Sequence, residues 1–297
     1  MTADQLLNAL FNAGIAISVG ATVLSLGMTY TAAQLLAPLK RVWLVIVVVI
    51  VNAVAIPAIA WLVAEALPIS DAYVAGLVLA TLGAGSAAAL KGAQLAERAD
   101  LPLAVSLVVV LQLSNIVAVP LWAGRVVSGA TLSAWDILKS LLALVLIPLV
   151  VGLVARARYA EHAQDWTAGL VKVANVALVI ALAAGIAVNW AAIVEMFGSW
   201  VLVASLIIIA VGVLLGALVG GRDPRTHTTT ALLSGLRFGS LGLIVIGTQL
   251  DGNPDYLGPA ITFALLDFVL PLLLAIEVGR KVNRQARTPR PRDVAQP

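Results

Sequence analysis

Cysteine is absent from all 297 residues. That excludes disulfides, thiolate metal sites and cysteine nucleophiles, and it leaves the redox compartment open. Histidine is almost as scarce: His162 and His227 are the only two, too few for a histidine-based metal centre. Charge is sparse as well. Asp, Glu, Lys and Arg make up 11% of the chain, where a soluble domain carries roughly 25%. No nucleophile–base pair, acid dyad or metal-ligand cluster stands at catalytic spacing, so an enzyme is not expected. What fills the chain is apolar: 61% hydrophobic residues, with a mean hydropathy of +1.04. Water-soluble folds are excluded, and the expected class is an all-α polytopic membrane protein.

Windows of roughly 20 apolar residues, enough to cross the hydrocarbon core, recur at about 6–30, 42–67, 72–95, 101–125, 133–155, 168–192, 198–220, 226–250 and 257–279. Nine spans are therefore expected. The first starts with Asp4 rather than a basic region and is too long for a leader's apolar core, so it reads as a span and not a cleavable signal. Charges orient the rest. Lys40 and Arg41 follow the first window, Lys91 and Arg98 lie at the end of the third, Arg156 and Arg158 follow the fifth, and Arg222 and Arg225 follow the seventh. The ninth leads into a tail holding Arg280, Lys281, Arg284, Arg287, Arg290 and Arg292. The alternate loops carry Asp71, Arg125, Asp136, Glu195, Asp251 and Asp255, mostly acidic. The basic side is cytoplasmic, so the amino terminus is expected outside and the carboxyl terminus inside, in the inner (cytoplasmic) membrane. The formal charge of +3 and pI near 9.4 come largely from that tail. After a hydrophobic segment it reads as an anchor on anionic lipid, not a nucleic-acid site.

Two windows are interrupted. The third contains "LATLGAGSAAALKGAQLAERAD", with Gly83, Gly85, Ser86 and Gly92; the eighth contains "SGLRFGSLG", with Gly235, Gly239 and Gly242. Each glycine weakens a helix by about 1 kcal/mol and permits unwinding where protein surrounds the backbone; close small-residue packing is the alternative. The two windows also echo each other. Each has a cation before a glycine (Lys91-Gly92; Arg237-Phe238-Gly239), and the next span ends in a polar residue and a proline: Ser114, Asn115 and Pro120, then Asp267 and Pro271. The windows run in opposite directions, as in an inverted-repeat transporter whose site lies where the two breaks cross. One transporter domain over 1–279 is expected, with repeats of about 1–127 and 128–279 and a basic tail over 280–297.

The sequence as a whole resembles the bile acid:sodium symporter superfamily. "NAVAIPAIAWLVA" (52–64) resembles the family's third helix, with Asn52 where the family has glutamine; "LLALVLIPLVVGLVARAR" (141–158) resembles its sixth. "QLAERADLPLAVSLVVVLQLSNIVAVPL" resembles the passage from its fourth helix to its fifth, and the first span, ending "GMTYTAAQLLAPLKR", resembles its second. The resemblance implies panel and core domains, two crossing discontinuous helices, and a chain lacking the family's first helix. It also exposes a difference. Where sodium-coupled members carry Glu-Val-Gly-Met-Gln-Asn-Ser, this chain reads "SGLRFGS", so the sodium-site glutamate is missing and Arg237 stands nearby. Sodium and a guanidinium a few ångströms apart repel by several kcal/mol at an effective dielectric of about 20. The fixed cation is thus expected to take over the ion's work.

These readings give an expected function: a secondary transporter of a small organic anion by alternating access, proton-coupled or uniport rather than classically sodium-coupled. The expected substrate-binding residues are Arg237, Lys91, Ser234, Gly235, Gly239, Ser240, Gly85 and Ser86, with half-helix amino termini adding positive potential. Ion or proton coupling is expected at Asp267, Asn52, Gln112, Ser114 and Asn115. Arginine does not titrate, so any proton carrier must be the acid. Lys91 either lines the site or snorkels to the interface. No cofactor is expected beyond Na+ or H+ as coupling ion, and the partners are the anion and the bilayer. The alternatives are a sodium-dependent symporter with a rebuilt sodium site, and a non-transporting sensor or scaffold of the same fold. A channel is disfavoured, since no polar stripe repeats along a span.

Overall fold

The computed structural model describes residues 3–31, 33–34, 40–127, 135, 139, 142–188, 190–196, 198–237 and 239–287. Among them every regular element is helical. Six helices are long and apolar enough to cross a membrane: Gln5–Thr29, Val42–Glu65, Leu101–Val126, Glu161–Val188, Val201–Gly220 and Pro254–Arg284. They coincide with the first, second, fourth, sixth, seventh and ninth windows. The other three windows fall below that length for two reasons. The fifth is regular only over a π turn, Leu142–Leu146, and helix Ile147–Arg158, its first part lying mostly outside the described residues. The third and eighth are each divided in two.

We number the helices α1 (Ala3–Thr29), α2 (Val42–Glu65), α3 (Asp71–Thr81), α4 (Ala87–Ala96), α5 (Leu101–Val126), α6 (Ile147–Arg158), α7 (Ala160–Val188), α8 (Trp190–Met196), α9 (Val201–Gly220), α10 (Pro224–Gly235), α11 (Ser240–Gln249) and α12 (Pro254–Arg287). The starts follow local chemistry. Ser70 caps α3 by accepting from the Tyr73 amide, Asp100 caps α5 ahead of Pro102, and Asp223 caps α10 ahead of Pro224. The Thr226 hydroxyl, and then its amide, hold the exposed Asp223 carboxyl below its ordinary pKa. α12 carries Arg280, Lys281 and Arg284 as helix, while Arg290 and Arg292 lie outside the described residues.

The two divided spans pack against each other in antiparallel fashion, α3 against α11 and α4 against α10, so their breaks meet at the same level. Some of the glycines open the breaks and others let the halves touch. Gly85 adopts φ 79°, a left-handed conformation that favours glycine, inside the non-helical stretch between α3 and α4. Gly92 and Gly242 lie instead within helices. A Cβ on Gly92 would stand 2.9 Å from Leu236 Cδ1, and one on Gly242 would overlap the Leu79 carbonyl, 2.6 Å from its carbon. Both expected roles of glycine are therefore present, at different positions. Gly242→Ala is expected to force α11 from α3 and to destabilise the purified protein by about 1–3 kcal/mol. Gly20→Ala, where nothing lies within 4 Å of the added carbon, is the control and should unfold like the wild type in the same thermal melt.

Candidate functional site

The site starts from a proline. Pro57 has no N–H, so the Ala53 carbonyl one turn earlier loses its helical donor. Just before it, α2 relaxes into a π turn over Val51–Ala55, and the Ile56 amide bonds back to Val51. That shift also leaves the Asn52 carbonyl without an intrahelical donor. Both carbonyls find donors from elsewhere in the protein. The Trp122 indole donates to Ala53 at 2.9 Å, and the Arg237 guanidinium donates through Nη2 to Asn52 at 2.9 Å.

The second acceptor is a helix end. α3 stops at Thr81, where the last carbonyls of a helix lack donors and carry the negative end of its dipole. Arg237 Nε donates to the Thr81 carbonyl at 2.8 Å, and Nη2 donates to the same oxygen. The third acceptor is the Asn52 side chain, whose Oδ1 takes a bond from Nη1 at 2.9 Å. Asn52 is held in turn by donating through Nδ2 to the Val48 carbonyl (2.9 Å) and to Ser234 Oγ (3.0 Å). Among the described residues, every hydrogen bond of the guanidinium thus goes to a neutral oxygen. Arg237 is 5% exposed. The cation is enclosed in an oxygen cage made from α2, the end of α3 and, through Ser234, α10.

Asp267, an acid within the ninth window, is the natural candidate to pair with the Arg237 charge. The structure places its Oδ2 on the main-chain amide of Arg237 at 2.8 Å, so the acid holds the break in position instead of forking the guanidinium. Its Oδ1 is buried and, among the described residues, has no hydrogen-bond partner, and Thr262 Oγ1 on the same helix is in the same state. Asp267 is 2% exposed. A carboxylate enclosed at this depth with one oxygen unbonded is costly.

The other break is held by amides from α5. Asn115 accepts from the Ala84 amide through Oδ1 at 3.1 Å and donates to the Ala84 carbonyl at 2.9 Å. Gln112 donates to the Gly85 carbonyl at 2.9 Å. Ser86 accepts from the Ala88 amide at 3.0 Å and so starts α4. Ser114 turns back to its own helix, donating to Leu111, and does not join the cluster.

Of the expected site residues, the binding candidates Arg237 and Ser234 and the coupling candidate Asn52 come together in one hydrogen-bonded group, with Asp267 joined through the Arg237 amide. Gly235, the last residue of α10, and Gly239, where an added Cβ would stand 3.1 Å from Ala264 Cβ, are buried beside it. The Ser240 side chain lies outside the described residues. Lys91 stands apart: it is exposed on α4, the snorkelling placement and not a second cation in the cage. Thr81 was not singled out from the sequence. Its signal was its place just ahead of the glycine run, where unpaired carbonyls gather.

In sequence, no curated protein matches the chain. A family model, that of the sodium bile acid symporter family, matches residues 16–200. That stretch includes Asn52, Thr81, Gln112 and Asn115; Arg237 and Asp267 lie beyond it. The match covers more than half of the 297 residues, and the chain belongs to the sodium bile acid symporter family.

Proposed function

We propose that this membrane transporter carries a small organic anion by alternating access, and that the Arg237 guanidinium supplies the positive centre which bound sodium supplies in its sodium-coupled relatives. The observation that carries the reading is the cage. Asn52 Oδ1, the Asn52 carbonyl and the Thr81 carbonyl form a set of neutral oxygens of the kind that suits a monovalent cation, and the guanidinium fills it. Four of its five N–H groups are engaged there. The arginine therefore acts on the cargo mainly through its charge, with the carboxylate held near it and near the amino terminus of α4, where Ser86 opens a fresh half-helix. The repeats, the inner-membrane location and the orientation with the amino terminus outside complete the reading.

The sodium-dependent alternative draws on Gln112 and Asn115, whose amides surround the first break. The scaffold alternative draws on the closure around Arg237. One experiment separates all three. The purified protein is placed in liposomes, and uptake of labelled taurocholate, pantoate and pyruvate is measured with sodium or choline as the only cation. The proposal expects uptake of at least one anion at equal rates in both salts. Uptake in sodium alone would overturn it in favour of the symporter, and no uptake with any of the three would favour the scaffold.

A further inference from the structure

The helices fall into two packing groups. α1 packs along α6 and α7, whereas α2 to α5 and α9 to α12 pack among themselves, and the short α8 follows α7 and packs on α12. Between the groups, α1 meets α11, α7 meets α12, and α5 meets the π turn Leu142–Leu146. One aromatic ring lies in that seam. Phe11 of α1 is 2% exposed. A Cβ on Gly185 of α7 would lie 2.8 Å from Phe11 Cδ2 and 3.2 Å from Ile261 Cδ1 of α12, and a Cβ on Gly247 of α11 would lie 3.9 Å from Phe11 Cε1. The ring therefore has a glycine on each side, one from its own group and one from the other, and Ile261 close by. The neighbouring Asn12 sets its Oδ1 directly over Gly247.

These residues share one end of the molecule. They belong to the amino-terminal part of α1, the carboxyl ends of α7 (to Val188) and α11 (to Gln249), and the start of α12 (from Pro254). By the charge pattern that end is the outer one. We propose that Phe11 and Asn12, seated against Gly185, Gly247 and Ile261, are the outer gate of the transport path. The structure shows this gate shut. Opening the path outward requires the ring to leave its slot as the two groups separate. The two glycines favour that movement, because neither sets a side chain of its own against the ring.

The inference takes its purpose from the transporter reading, but its test reads accessibility and needs no substrate. The chain has no cysteine, so introduced thiols are the only ones. Asn12→Cys with Gly247→Cys removes the amide that a Gly247 side chain would strike. Asn12 Cγ, the position the new sulfur takes, lies 3.4 Å from the added Cβ, close to disulfide reach. Ser18→Cys adds a reporter two helical turns further along the same face of α1, 3% exposed. In the full-length protein in liposomes, an impermeant maleimide is added from either face. Oxidation is expected to join the pair and slow labelling of the reporter by at least tenfold, and reduction to restore it. With the reporter alone, Phe11→Ala is expected to speed labelling at least tenfold from one face. A pair that does not cross-link, or a reporter indifferent to both changes, would overturn the gate. Should Phe11→Ala disturb folding, the cross-link arm still decides, since it keeps the ring. A gate that behaves as expected in a protein that moves no anion leaves this inference standing and removes the transporter reading.

Discussion

Arg237→Ala is expected to reduce anion transport by about 100-fold or more. A carboxylate about 4–6 Å from a guanidinium gains roughly 3–4 kcal/mol at an effective dielectric of about 20, which corresponds to two to three decades in affinity. The substitution also strips donors from the Asn52 carbonyl, Asn52 Oδ1 and the Thr81 carbonyl. Each orphaned buried acceptor costs about 1–3 kcal/mol until water reaches it, so stability falls as well. Two further measurements separate charge from scaffolding. Guanidinium ion added to Arg237→Ala should enter the vacated cage and restore part of both activity and melting temperature. Arg237→Lys keeps the charge, but a compact ammonium cannot reach three separate oxygens as the guanidinium fork does. Lysine is therefore expected to retain more transport than alanine while melting nearly as early. Wild-type rates in both variants would remove the arginine from the mechanism.

Asp267→Asn is expected to leave exchange intact and to abolish any response to a proton gradient. The asparagine keeps an oxygen for the Arg237 amide, so the bond that positions the break survives. What it loses is the charge and the capacity to take a proton. Asp267 is the only buried acid among the described residues, and its Oδ1 is unbonded, which makes it the group in the site able to carry one. With an inward proton gradient, the wild type should accumulate its anion at least tenfold above the asparagine variant, and both should exchange labelled for unlabelled anion at similar rates. Equal accumulation in the two proteins would assign Asp267 a purely structural role and leave a uniporter. Substitution to alanine is less informative, because it also releases the amide.

Hydropathy alone located the six long apolar helices, since a helix that crosses hydrocarbon must be long, apolar and internally bonded. The breaks were legible from glycine, because backbone weakness is a local property. The cage was less so. Asn52 and Pro57 were visible as a pair, but the π turn between them, and the two carbonyls it frees, emerge only once the helix is built. Lys91 and Arg237 look equivalent in sequence, each a cation before a glycine. The structure separates them because Lys91 lies past the break on an outward face of α4, whereas Arg237 lies within one. Arg237 and Asp267 were both visible in sequence, but not that the acid would meet the arginine's main-chain amide. Sequence carries no record of whether an acid meets a neighbour's side chain or its amide.

A cation fixed by covalent bonds stays behind when the cargo leaves. A carrier that borrows sodium moves its anion with compensating charge and draws on the ion gradient at every cycle. On the proposed reading, with Arg237 anchored in α2 and α3 oxygens, each turnover moves the net charge of the anion itself. Across a membrane that is negative inside, a monovalent anion then meets a force of about 2.3 kcal/mol per 100 mV directed outward. At equilibrium that favours the outside by roughly fiftyfold. Unless a proton travels with the cargo, the natural direction of such a protein is export.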